Sequence, residues 1–122
     1  MNNKERMLYF REELSSNFYS KLEDSVKIIV DNIPELEEIY LFGSVARNDY
    51  KWDSDIDLAI VTQKPLNDHA LRGMIIDELD WPSKQGIRAD VIFRYNGFTG
   101  VSPTFEELYE RDKKLVWRRY DI

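Results

Sequence analysis

The run Asp55-Ile56-Asp57 passing directly into Leu58-Ala59-Ile60-Val61, ten residues after the pair Gly43-Ser44, constrains the fold more than any other stretch. On a strand, residues two apart share a face. Asp55 and Asp57 are therefore expected to converge, while Leu58 and Ile60 turn to the opposite, buried face. Two carboxylates roughly 7 Å apart repel one another, and the apolar run behind them roots the strand in a core. A divalent cation makes such an arrangement favourable. With no cysteine and a single histidine in the chain, the available ligands are hard oxygens, which suit Mg2+ or Mn2+.

Composition narrows the surroundings. A chain of 122 residues with 43% hydrophobic content is expected to form a single domain over residues 1–122 with one modest core. The absence of cysteine removes disulfides and points to a cytoplasmic setting. No apolar run is long enough to span a bilayer, and the polar start Met1-Asn2-Asn3-Lys4-Glu5-Arg6 leads into no signal-peptide core, so no membrane partner is expected. A net charge of −6 disfavours a grip on a long nucleic acid, which needs a basic face. A single nucleotide remains compatible with it, because metal and a few local cations can balance the phosphates.

Residues 1–34 read as a helical segment and residues 35–122 as the functional core. Leu14, Phe18, Leu22, Val26, Ile29, Val30 and Ile33 recur mostly at spacings of three or four. Ser15-Ser16-Asn17 competes for backbone hydrogen bonds and divides the segment into two helices, and Pro34 ends it. The stripe Leu14, Phe18, Leu22 reads most simply as core; the alternative for part of it, where a small sheet does not cover two such helices, is an oligomer or partner interface. Ile39 to Phe42 predicts a buried strand closed by Gly43, and Ser44 to Asn48 a short helix or turn. The Asp55–Val61 strand follows, then an amphipathic helix over Asn67–Leu79, with Trp81 packed at its stop. A third strand runs over Ile87–Tyr95 with Asp90 near its start, and a loop over Asn96–Gly100 follows. A capping box at Thr104 and Glu107 opens a last helix, and Leu115-Val116-Trp117 either continues that helix or makes a terminal strand. The order predicts a small α/β (α+β) fold, a mixed sheet flanked by helices.

These residues suit nucleotide chemistry. Gly43 lets backbone approach a phosphate, and Ser44 offers a hydroxyl and backbone N–H groups where a helix begins. Asp55 and Asp57 would hold metal against the phosphates. Asp90, from another strand, would complete a second metal position, following two-metal logic. Arg47 and Lys51 stand where they reach either a triphosphate or solvent; His69 reads as a surface or capping residue.

Leu41-Phe42-Gly43-Ser44-Val45-Ala46-Arg47 followed by Ser54-Asp55-Ile56-Asp57-Leu58, with Ala89-Asp90-Val91-Ile92 further on, resembles the signature of the DNA polymerase β-type nucleotidyltransferases. The short chain is most similar to their minimal (MNT) group. The resemblance covers Ile39 to the C-terminus and implies a polymerase β-like fold. It also implies Mg2+-dependent transfer of AMP from ATP to a hydroxyl acceptor, with two ions. By that resemblance Gly43 and Ser44 bind nucleotide, and Asp55, Asp57 and Asp90 are the catalytic, metal-binding acids. Minimal members pair with a helical HEPN toxin, so the resemblance implies an antitoxin that modifies a tyrosine of such a partner in a homo- or hetero-oligomer. Two other outcomes stand beside it: a weak or inactive antitoxin that neutralises its partner by binding, and a small-molecule, aminoglycoside-type nucleotidyltransferase. Val45, Asn48 and Lys51 depart from the group's usual Arg, Gly and Arg.

Overall fold

Local sequence decides where the helices start and stop. Asn2 caps α1 (Asn3–Glu13) through a capping box, its side chain accepting the Glu5 N–H at 2.9 Å. The chain breaks after Leu14 and restarts as α2 (Ser16–Asn32), so the division expected at Ser15-Ser16-Asn17 is present. The computed structural model describes residues 1–98, 100 and 102–120; of the loop expected over Asn96–Gly100, Thr99 lies outside the described residues. Beyond α2 come β1 (Leu36–Phe42), α3 (Gly43–Arg47), β2 (Ile56–Thr62), α4 (His69–Asp80), β3 (Ala89–Tyr95), α5 (Pro103–Asp112) and β4 (Lys114–Arg118). Among the described residues no helix is long and apolar enough to cross a membrane.

The strands form one mixed sheet in the order β3-β2-β1-β4. β1 runs antiparallel to β2 and β4, and β2 runs parallel to β3. A parallel pair needs a crossover, and α4 supplies it. The predicted mixed sheet with flanking helices is therefore the architecture observed. One face carries the main core, where Ile39, Leu41, Ile56, Leu58 and Ile60 pack with Leu22 and Ile29 of α2 and Ile75 and Leu79 of α4. The other face carries Tyr40 and Phe42 under Tyr109 and Phe105 of α5, whose rings meet edge to face and stacked.

Several expectations shift. Leu14, Phe18 and Leu22 all lie in the intramolecular core, as their simplest reading has it, so only the alternative of an interface for part of the stripe falls away. Trp81 is 76% exposed rather than packed, because its neighbour Leu79 already fills the core position at the end of α4. α4 starts at His69 rather than Asn67, because Asp68 caps it by accepting the Leu71 N–H at 3.0 Å. Ser102 rather than Thr104 caps α5, accepting the Phe105 N–H at 3.3 Å; Pro103 fits the first helical position because it has no N–H to satisfy. The last apolar segment is a strand, and β1 selects that outcome by pairing Tyr40 with Leu115 and Ile39 with Trp117. On that edge strand Asn3 of α1 accepts the Arg118 N–H and donates to the Arg118 carbonyl, so backbone groups at an open edge find partners.

Candidate active site

The turn from β1 into α3 sets the site. Phe42 stands in register with Asp57 across the antiparallel pair, and Asp57 stands in register with Asp90 across the parallel pair. One sheet edge thus carries the end of β1, the start of β2 and the start of β3. Gly43 follows Phe42 with φ +75°, a conformation that L side chains rarely adopt. A β-carbon there would drive into the Asp57 carboxylate, with Cγ only 3.2 Å away. Gly43 therefore lets the Asp57 carboxylate lie against the first turn of α3. Ser44 is half-buried beside it.

All five residues singled out from the sequence meet at this edge. Asp55 sits one residue before β2, exposed, because the ladder to β3 begins with the Ile56 N–H donating to the Arg88 carbonyl at 2.9 Å. The strand placement of Asp55 is thus off by one residue, while its place beside Asp57 and Asp90 holds. Asp90 lies at the exposed start of β3.

The charges at this edge are mutually unfavourable. Burial pushes the half-buried Asp57 carboxyl up to about 6, with Asp90 and then Asp55 adding to the rise and Arg47 opposing it. Asp90 is also raised, first by burial of the carboxyl against the sheet, then by Asp55 and Asp80, with Arg88 opposing. Among the described residues none of the three forms an ion pair. Nor does any group of three His, Cys, Asp or Glu side chains among them stand as a ready-made metal cage. The donor chemistry fits a hard divalent ion nonetheless: carboxylate oxygens, held by the sheet, lacking cationic partners and repelling one another.

The neighbours of the site explain the sequence departures. Val45 is fully buried in the core, where an Arg would strand a charge. Asn48 ends α3 with φ 61° and ψ 30°, so an Asn does the left-handed work that Gly usually does. Arg47 is tied to Asp49 at 3.1 Å and to Asp112 of α5 at 3.2 Å, so it links α3 to α5 rather than standing free. Lys51 is exposed in the α3–β2 loop. His69 opens α4 at the surface, as its polar surroundings predict.

A hollow of about 660 Å³ around Pro34, Lys64, Leu66 and Arg119 lies at the opposite end of the sheet, where Leu36 pairs with Thr62. Volume alone would favour it. The unpaired carboxylates and the left-handed Gly43 are at the other end, and the chemistry goes with them. Sequence reasoning missed a further feature on the face of β3 that carries Asp90, four residues along the strand. Arg94 of β3 and Glu106 of α5 form a bidentate ion pair at 2.9 and 2.6 Å, with the guanidinium over the Tyr109 ring at 4.4 Å. The twelve-residue separation of the two gave no local signal.

Comparison with known proteins agrees with this geometry. The family described as Nucleotidyltransferase domain matches residues 21–117. The curated protein adenylyltransferase MntA of Shewanella oneidensis is 42% identical over 45 residues, which span 37% of this chain and 32% of that protein. This chain is thus matched to about a third of that relative's length. The solved toxin–antitoxin complex MntA–HpeT contains a similar chain, 27% identical with TM-score 0.58, over 79% of this chain and 71% of that one. A toxin–antitoxin structure with AMP-PNP contains another, 26% identical with TM-score 0.51, over 79% and 73%. With the glycine turn, the paired strands and the three acids in place, the chain belongs to the nucleotidyltransferase-domain family.

Proposed function

We propose that this protein transfers AMP from ATP to a hydroxyl on a helical, HEPN-type partner protein, and so acts as the antitoxin of a toxin–antitoxin pair. The observation that carries the reading is the meeting of Asp55, Asp57 and Asp90 beside the Gly43-Ser44 turn, three carboxylates with no ion pair among the described residues. The similarity to a protein adenylyltransferase and to chains in toxin–antitoxin complexes supports the choice of nucleotide and acceptor.

Asp55, Asp57 and Asp90 would hold Mg2+, which when bound neutralises phosphate charge and favours ionisation of the acceptor hydroxyl. The first turn of α3 presents Ser44 to the phosphates, and Gly43 keeps Asp57 close to that turn. The acceptor oxygen attacks the α-phosphorus, the bond to the oxygen bridging α and β breaks, and pyrophosphate departs. Asp90, at the exposed start of β3, is the carboxylate that would take the hydroxyl proton as the acceptor oxygen ionises. The rest of the contribution is positioning on a rigid sheet edge.

The test is intact-mass analysis of the gene product encoded beside this chain after incubation with this protein, ATP and Mg2+. The expected result is a gain of AMP that Asp55→Ala/Asp57→Ala abolishes. A stable complex with no gain refutes transfer and leaves neutralisation by binding. Neither complex nor gain refutes the protein acceptor as well.

A further inference from the structure

Asp90, Ile92 and Arg94 alternate along β3 and therefore share the face that α5 covers. Two residues along the strand from Asp90, about 7 Å away, Ile92 opens into a cavity of about 180 Å³ walled by Ile92, Phe93, Phe98 and Phe105. It is well below the ~300 Å³ at which pockets begin to enclose a drug-sized ligand, so it admits a ring rather than a whole nucleotide. Phe105 is 38% exposed on the first turns of α5, and its ring meets Phe42 edge to face at 5.9 Å. Phe42 in turn faces Asp57 in register. A continuous aromatic and apolar path thus runs from the acids to the cavity.

We infer that this cavity is the nucleobase subsite, with Phe105 as the ring on which the base of the bound nucleoside triphosphate stacks. The inference rests on the nucleotidyl-transfer reading above and specifies how the substrate is held. A triphosphate anchored at Asp57 and Asp90 has its base one ribose away, which is the step from Asp90 to Ile92. The charged groups of the wall, Arg94 and Glu106, are already committed to each other in a bidentate pair, Arg94 also lies over the Phe98 ring at 4.8 Å, and the Ser102 hydroxyl oxygen caps α5 by accepting the Phe105 N–H. The base is therefore held chiefly by its faces. Stacking tolerates any base because every base has a π-face, so ATP and GTP bind with affinities within about threefold of each other.

The experiment is calorimetric titration of the full chain with ATP and with inorganic tripolyphosphate, each in Mg2+, for wild type, Phe105→Ala, Phe105→Trp and Leu108→Ala. Tripolyphosphate keeps the charge and lacks the base. Removing one stacking ring is expected to weaken ATP binding by about tenfold or more, with tripolyphosphate binding unchanged. Phe105→Trp retains ATP affinity, and Leu108→Ala, at an exposed position on the same helix, changes neither. Equal loss of both ligands in Phe105→Ala would overturn the subsite, as would ATP affinity that does not change. Unchanged ATP affinity with loss of AMP transfer would give the cavity to the acceptor instead. Wild type binding neither ligand would remove the nucleotidyl-transfer reading itself, a result distinct from every variant-specific outcome.

Discussion

Replacing Asp57 by Asn should make the metal-free protein more stable, and only at neutral pH. The native fold raises this carboxyl from 3.8 to about 6, chiefly by burial and then by Asp90 and Asp55. An acid with a raised native value binds its proton more tightly folded than unfolded. Below 3.8 both states are protonated and nothing is lost. As pH climbs from 3.8 towards 6 the unfolded chain releases the proton first, so stability falls across that window and the full cost persists above it. Converted directly, the shift corresponds to about 3 kcal/mol. Asp57 is only half-buried, and water screens its field, so about 1–2 kcal/mol is the realistic gain for the amide. Urea denaturation in EDTA at about pH 4 and about pH 7.5 measures it as the difference between wild type and Asp57→Asn. Groups remote from this edge titrate alike in both proteins and cancel. Added Mg2+ should shrink the difference at the higher pH, since the ion stabilises wild type by binding its ionised acids. A stability difference of the same size at both pH values would refute the electrostatic account of the site.

Two further perturbations follow from the same geometry. Gly43→Ala should cost about 2–3 kcal/mol, part from the left-handed φ of +75° and part from the collision with Asp57, and should lower Tm by roughly 10 °C. In an Asp57→Ala background the collision is gone, so a double-mutant cycle by thermal melts should return about 1 kcal/mol; an additive result would mean the two residues do not touch. Glu106→Gln should destabilise by about 2–3 kcal/mol, because it strands a guanidinium whose side chain is only 10% exposed. Arg94→Met/Glu106→Leu should recover most of that loss in chemical denaturation, which a merely packed, uncoupled pair would not do.

Much of the site was legible in the sequence because its parts are short-range. Alternation places Asp57 opposite Leu58, a glycine marks the left-handed turn at residue 43, and the apolar stretch behind the acids declares a buried strand. These properties depend on neighbours within a few positions, where backbone sterics and strand periodicity act. The left-handed Asn48 is legible for the same reason.

Contacts between distant segments were decided only by the tertiary structure. Residues 114–118 are equally apolar as helix or strand, and the free edge of β1 chose strand. Arg47 is a solvated cation until α5 brings Asp112 to it, and Arg94 has no visible partner until α5 lays Glu106 across β3. The cavity beside Phe105 likewise exists only because α5 packs over the face of the sheet that carries Asp57 and Asp90. A linear pattern encodes which face a residue takes on its own element. Which element covers that face depends on how the whole chain buries its apolar surface at once, and that sum has no local signature.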